Sequence, residues 1–209
     1  MKTLIIVDIQ NDFLPKGALA VNEGDQIVSI INELIPHYGH VIATQDSHPD
    51  DHGSFADNHD EHEIGEVIDL HGLEQVLWPS HCIQGTLGAQ FSPSLNTDEV
   101  DHIFQKGTDP KIDSYSAFYD NGHRKATGLA EHLREIATSE VHIVGLATDY
   151  CVKFTALDAV AEGFKTTLIA DACRGVNLNS GDVENAIEEM QHAGIIITTS
   201  DVILGETKL

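Results

Sequence analysis

Basic residues are scarce in this chain: 11 lysines and arginines stand against 34 aspartates and glutamates, a formal charge of −23 over 209 residues. Nucleic acids and anionic membranes are held through Lys/Arg surfaces, so neither is expected as a partner. Cysteine is scarce as well. Cys82, Cys151 and Cys173 are odd in number and widely spaced, which argues against a disulfide framework and for a reducing, cytoplasmic setting. There is no run of 18 apolar residues, so no membrane span is expected. The opening MKTLIIVDIQNDF has too short an apolar run and no small-residue cleavage site, and reads as a first strand rather than an export signal. What is present is 41% apolar residues, enough for one well-packed domain over 1–209. The acidity reads as a solubility or salt-tolerance trait, with a mild preference for a neutral or cationic small substrate. The pattern leaves the oligomeric state open.

Apolar, β-branched runs recur at residues 3–9, 40–44, 100–105, 141–146, 166–170 and 195–199, and segments of helical period lie between several of them. Ile27, Ile30, Ile31 and Leu34 form one stripe, Leu129, Leu133 and Ile136 a second, and Val183, Ile187 and Met190 a third. Strands alternating with helices predict a three-layer α/β/α fold with a mostly parallel six-stranded sheet and helices on both faces. One stretch breaks the alternation: residues 49–77, rich in His, Asp, Glu and Gly, are expected to form a long loop excursion over one end of the sheet.

Ligands of open parallel sheets bind outside the carboxyl ends of the strands. Reactive side chains follow four of these ends: Asp8, then Asp46 and His48, then Lys106, then Cys151. Cys151 stands in VGLATDYCVKFTALDA, where a strand delivers it to the first turn of a helix that is apolar almost all round. Unpaired N–H groups and the helix dipole there favour a thiolate. A half-buried Asp8 could take the thiol proton and return it to a leaving amine. The Lys106 ammonium could stabilise both anions. Each residue has a bland alternative, Asp8 as a turn former and Lys106 as an exposed strand end. Cys173 reads as a buried, inert thiol.

Asp46 and His48 form an Asp-x-His pair, and His81 in WPSHC is a third donor brought back by the excursion. Two imidazoles and a carboxylate suit one divalent Zn, Fe or Mn ion with open positions for water or substrate, and no organic cofactor is indicated. Eight of the 13 histidines lie between His37 and His81. His59, His62 and His71 read as solvated, His102 and His142 as structural, and His52 as either a ligand or a bystander. Phe13, Trp78 and Tyr115 offer flat surfaces to a small planar ring.

With these residues in place, the chain resembles the nicotinamidases (pyrazinamidases) of the isochorismatase-like cysteine hydrolase superfamily. The matching segments are IIVDIQNDFLPKGALAV, TQDSHPDDHGSFA, GLEQVLWPSHCIQGTLGAQF, FQKGTDPKIDSYSAFYDNG, VGLATDYCVKFTALDA and IADACRGV. They run from residue 4 to about residue 178, and it is their combination that is specific. The resemblance implies a catalytic triad of Asp8, Lys106 and Cys151 and metal ligands at Asp46, His48 and His81. It places pocket walls at Phe13, Trp78, Tyr115 and Leu146. It also implies a cis Leu146–Ala147 peptide, with the Ala147 and Cys151 amides as an oxyanion hole. Where some relatives carry a further histidine ligand, this chain has Ser54, which could hold a metal-bound water.

The implied reaction is hydrolysis of nicotinamide, and of pyrazinamide, to the acid and ammonia through a cysteine thioester, a step of NAD salvage. The competing readings are a metal-independent amidohydrolase of the same superfamily acting on a ureido or carbamoyl substrate, and a non-catalytic metal-binding protein with an inert Cys151. Isochorismate hydrolysis fits less well, because it needs no thiol.

Overall fold

A computed structural model of the protein describes residues 1–206. Its strands are β1 (Lys2–Val7), β2 (His40–Asp46), β3 (Val67–Leu70), β4 (Leu73–Val76), β5 (His102–Lys106), β6 (Glu140–Leu146), β7 (Lys165–Arg174) and β8 (Ile196–Thr198). Its α-helices are α1 (Ile27–Leu34), α2 (Leu129–Glu135), α3 (Lys153–Ala161), α4 (Asp182–His192) and α5 (Ser200–Glu206). Six strands form one sheet in the order β5-β2-β1-β6-β7-β8, every neighbouring pair parallel.

Alternation along the central strand builds the two cores. Leu4 and Ile6 face one side, where α1 contributes Ile27, Val28, Ile31 and Leu34, and where Ile203 and Leu204 of α5 pack. Ile5 and Val7 face the other, with Leu129 and Leu133 of α2, Ala156 and Ala159 of α3, and Met190 of α4. A parallel strand covered on both faces is apolar through its interior, which is why LIIV carries no alternation. Each fully buried Leu or Ile here contributes about 1.5–3 kcal/mol of transfer free energy.

The chain winds outward from β1 to β2 and β5, then returns to place β6 on the other flank of β1. The crevice therefore opens between the ends of β1 and β6. Gly145 makes the approach possible. Its φ is +121°, and a Cβ there would sit 2.1 Å from the Val7 carbonyl oxygen, the residue with which it is in register.

Three local expectations change. The first strand ends at Val7 rather than Ile9, because Asp8 adopts φ +50°. The excursion is not loop throughout. β3 and β4 pair as an antiparallel hairpin, Val67 with Val76 and Leu70 with Leu73, around a His71-Gly72 turn in which both residues have positive φ. Cys151 lies in a π-helical turn, Thr148–Val152, ahead of α3 rather than in that helix's first turn, and Phe154 and Ala161 on α3 are exposed. Among the described residues no helix is long and apolar enough to cross a membrane.

Candidate active site and metal centre

Lys106 ends β5 with a side chain almost wholly buried, and four groups meet at its ammonium. Nζ lies 2.5 Å from Asp46 Oδ1, 2.8 Å from Asp8 Oδ2, 3.0 Å from the Ser114 carbonyl and 3.3 Å from Cys151 Sγ. Asp8, Asp46 and Cys151 each offer an atom within 4.8 Å of the other two. The residues that follow separate strands thus converge on one point.

Their charges are strongly coupled. Burial lifts the Asp8 carboxyl to about 6, against the pull of Lys106. Burial also acts to raise Asp46, but Lys106 and His48 outweigh it and hold Asp46 below the usual carboxylate range. Burial pushes Lys106 down, yet the two carboxylates hold it well above its ordinary value. Burial drives the Cys151 thiol well above its usual range, Lys106 opposes this, and Asp8 and Asp46 reinforce it. Burial and the two carboxylates therefore act against the expected thiolate, with Lys106 acting for it. Asp8 Oδ1 accepts the Thr44 hydroxyl, and Asp8 Oδ2 lies 2.8 Å from Lys106 Nζ.

Asp46, His48 and His81, all buried, place three donor atoms within 4.8 Å of one another. The tautomers are set by their other partners. His48 Nδ1 donates to the Gly107 carbonyl at 2.8 Å and His81 Nδ1 to the Pro79 carbonyl at 2.8 Å. A carbonyl only accepts, so in each neutral ring Nε2 carries the lone pair. Two rings anchored to carbonyls through Nδ1, with His48 Nε2 3.7 Å from the Asp46 carboxylate, are the donor set of a divalent transition metal, so the residues fit such an ion. Burial and the neighbouring His48 hold His81 down to about 4, which keeps that ring available as a ligand. His48, in contrast, is lowered by burial but raised further by Asp46.

Backbone details hold these donors in place. Gln10 Nε2 donates to the Asp46 carbonyl and Gln10 Oε1 accepts the Asp46 N–H, both at 2.8 Å. Asp12 Oδ2 accepts the Cys82 N–H at 2.7 Å, anchoring the segment that carries His81. Gly107 has φ +64°, and a Cβ there would lie 2.3 Å from His48 Cε1.

One pocket joins the two groups. Its lining includes Phe13, Trp78, Tyr115, Ala147 and Cys151 together with Asp46, His48 and His81. Trp78 Nε1 donates to Tyr115 Oη at 3.1 Å, which fixes both rings. The Leu146–Ala147 peptide is cis. Leu146 itself does not line the pocket; it is buried in the core beside Leu14 and Val21. Ser54 Oγ lies 2.7 Å from His52 Nδ1, which also accepts the Ser54 N–H.

Four further residues line the pocket without having been singled out from the sequence, Leu19, Asp113, Tyr150 and Val176. Asp113, buried, falls inside KGTDPKIDSYSAF, and Tyr150 directly precedes Cys151. Asp113 also lies within 4.8 Å of ring nitrogens of His48 and His52. Of the remaining histidines, His142 is buried between Tyr38 Oη and Glu140, whereas His62 and His71 are exposed.

Known proteins share this arrangement of segments. The Isochorismatase domain model matches residues 2–202. The nicotinamidase of Escherichia coli (strain K12) is 47% identical over 204 residues, covering 95% of this chain and 94% of that protein. An Acinetobacter baumanii nicotinamidase/pyrazinamidase structure superposes with a TM-score of 0.94 at 48% identity, covering 97% of each chain. A Pyrococcus horikoshii pyrazinamidase solved in complex with zinc superposes at 0.77 with 39% identity, covering 95% of this chain and 98% of that one. A parallel sheet whose strand ends gather aspartate, lysine and cysteine, matched along nearly its whole length, leaves one assignment: the chain belongs to the Isochorismatase domain family.

Proposed function

We propose that the protein is a nicotinamidase, hydrolysing nicotinamide, and pyrazinamide with it, to the carboxylic acid and ammonia. The observation that carries this reading is the Lys106 ammonium lying 2.8 Å from the Asp8 carboxylate and 3.3 Å from the Cys151 thiol, in a pocket that also holds a metal-type donor set. The relatives named above share the assignment by name.

Asp8 takes the Cys151 proton as Sγ bonds to the carboxamide carbon, and Lys106 offsets the charge in transit. The amides of Ala147 and Cys151, both residues of the pocket wall, receive the oxyanion. The C–N bond breaks as Asp8 passes the proton to nitrogen, releasing ammonia and leaving a thioester. Water then attacks the thioester carbon and gives a proton to Asp8. The C–S bond breaks, the sulfur recovers the proton, and the carboxylic acid departs. Asp46, His48 and His81 would hold one divalent ion, zinc, iron or manganese. When bound, the ion acts as a Lewis acid toward the pyridine nitrogen, which orients the ring. Phe13, Trp78 and Tyr115 flank the plane of that ring. The product feeds NAD salvage, and three free, buried thiols suit a reducing cytoplasm.

Purified, metal-loaded protein should release ammonia from nicotinamide and not from a ureido compound such as an N-carbamoyl amino acid. The reverse preference would reject the reading. Because Asp8 must be ionised to accept a proton and burial lifts it to about 6, kcat/KM should fall as pH drops through that value. A profile flat well below it would remove Asp8 as the base. Gly107→Ala should push the His48 ring aside and weaken metal binding by roughly 10–100-fold, the cost typical of a lost outer-shell partner. Zinc content after dialysis against a chelator series checks this, and unchanged retention would contradict it.

A further inference from the structure

At φ +50°, Asp8 adopts a backbone conformation that non-glycine residues seldom take, immediately past the end of β1. Its direction is set from the neighbouring strand. The β1–β2 ladder is in register through Ile6 and Ala43, and the side chain of the next residue, Thr44, continues the contact. Thr44 is fully buried. Its Oγ1 accepts the Asp8 N–H at 3.2 Å and donates to Asp8 Oδ1 at 2.6 Å. A threonine hydroxyl has one proton to give. Spending it on Oδ1 leaves Oδ2 as the oxygen that faces Lys106, 2.8 Å from Nζ.

We propose that Thr44 is the positioning residue of the general base. It clamps both the main chain and one oxygen of Asp8, so that the other oxygen is held out for the Cys151 proton. This rests on the amide-hydrolase reading above. The terminal torsion of an aspartate is broad and two-fold, so a carboxylate without this clamp can rotate and exchange its oxygens. The methyl group of Thr44 is incidental to this role and the hydroxyl is essential, which makes serine and valine opposite probes.

The experiment compares Thr44→Val, Thr44→Ser and the unmodified protein in kcat and KM for nicotinamide. It also compares the rate at which iodoacetamide alkylates Cys151, read by peptide mass, alone and combined with Asp8→Asn. Thr44→Val should lose roughly 10–100-fold in kcat, the scale of a small misplacement of a catalytic group, with KM nearly unchanged. Thr44→Ser should recover most of the loss. In the Asp8→Asn background, Thr44→Val should slow alkylation no further, because Thr44 acts through the carboxylate. A full kcat in Thr44→Val would overturn the proposal, as would a serine variant as impaired as valine. An effect on alkylation of equal size with and without Asp8 would overturn it too. Should valine prevent cooperative melting, Thr44→Ala carries the same comparison with serine. Failure of the unmodified protein to release ammonia from nicotinamide would count against the hydrolase reading alone, since the alkylation comparison needs no substrate.

Discussion

Cys151→Ala is expected to lose ammonia release from nicotinamide by roughly 10⁴–10⁶-fold, the range seen when a member of a nucleophile–base unit is removed. In the proposed reaction the sulfur bonds to the carboxamide carbon, and neither Lys106 nor Asp8 could replace it: both are held in an ion pair, at 2.8 Å from each other. The fold should survive. Lys106 keeps its contacts to Asp46, Asp8 and the Ser114 carbonyl, so no buried charge is stranded, and the cavity left is one atom in size. Metal content should be unchanged as well, because Cys151 is not among the Asp46, His48 and His81 donors. Steady-state ammonia release together with a melting curve and metal content checks all three expectations. Activity within an order of magnitude of the unmodified protein would exclude a covalent route through this thiol.

The second large effect is expected at the metal donors. His81→Ala should lose more of the metal affinity than the roughly 10–100-fold that an outer-shell partner is worth, and KM for nicotinamide should rise sharply. His81 is the cleaner choice. Its ring has one fixed anchor, the Pro79 carbonyl, whereas Asp46 also pairs with Lys106 at 2.5 Å. Asp46→Ala should therefore lose metal and in addition leave Lys106 with Asp8 as its one carboxylate partner, disturbing the triad as well. Removal of one partner of a buried ion pair costs about 3–5 kcal/mol. Metal analysis and KM, measured together, separate the two variants: both lose the ion, and Asp46→Ala also loses stability. Full metal occupancy and unchanged KM in both would remove these residues from the site.

Much of this was legible in the amino-acid order. The central strands, buried on both faces, read as continuous apolar runs, and the edge strands β5 and β8 also carried apolar, β-branched residues, so all six sheet strands were visible. Their carboxyl ends marked Asp8, Asp46, Lys106 and Cys151. The features that escaped are those a hydropathy pattern does not encode. The left-handed backbone at Asp8 ends β1 two residues early, although Ile9 continues the apolar run. The β3–β4 hairpin turns on His71-Gly72, a pair without the usual Asn-Gly signal. A thiolate at Cys151 followed from helix-end arguments alone. Burial beside two carboxylates acts against it, and only the packed structure shows that burial. Asp113 sits in a loop between β5 and α2, away from a strand end, so the strand-end argument passed over it. Leu146, adjacent to the cis peptide, turns into the core while its neighbour Ala147 takes the place at the pocket wall.

The central claim is that the Cys151 sulfur attacks the carbonyl carbon of a pyridine carboxamide held between the aromatic walls and the metal donors. A crystal structure of the metal-loaded protein with the aldehyde analogue nicotinaldehyde tests it most directly, because an aldehyde stops at the first adduct, with no C–N bond to break. The expected density is continuous from Cys151 Sγ to the former carbonyl carbon, with the oxygen at the Ala147 and Cys151 amides and the ring nitrogen toward the Asp46, His48 and His81 group. An aldehyde bound without a bond to Cys151, or with its ring nitrogen directed away from that group, would contradict the account.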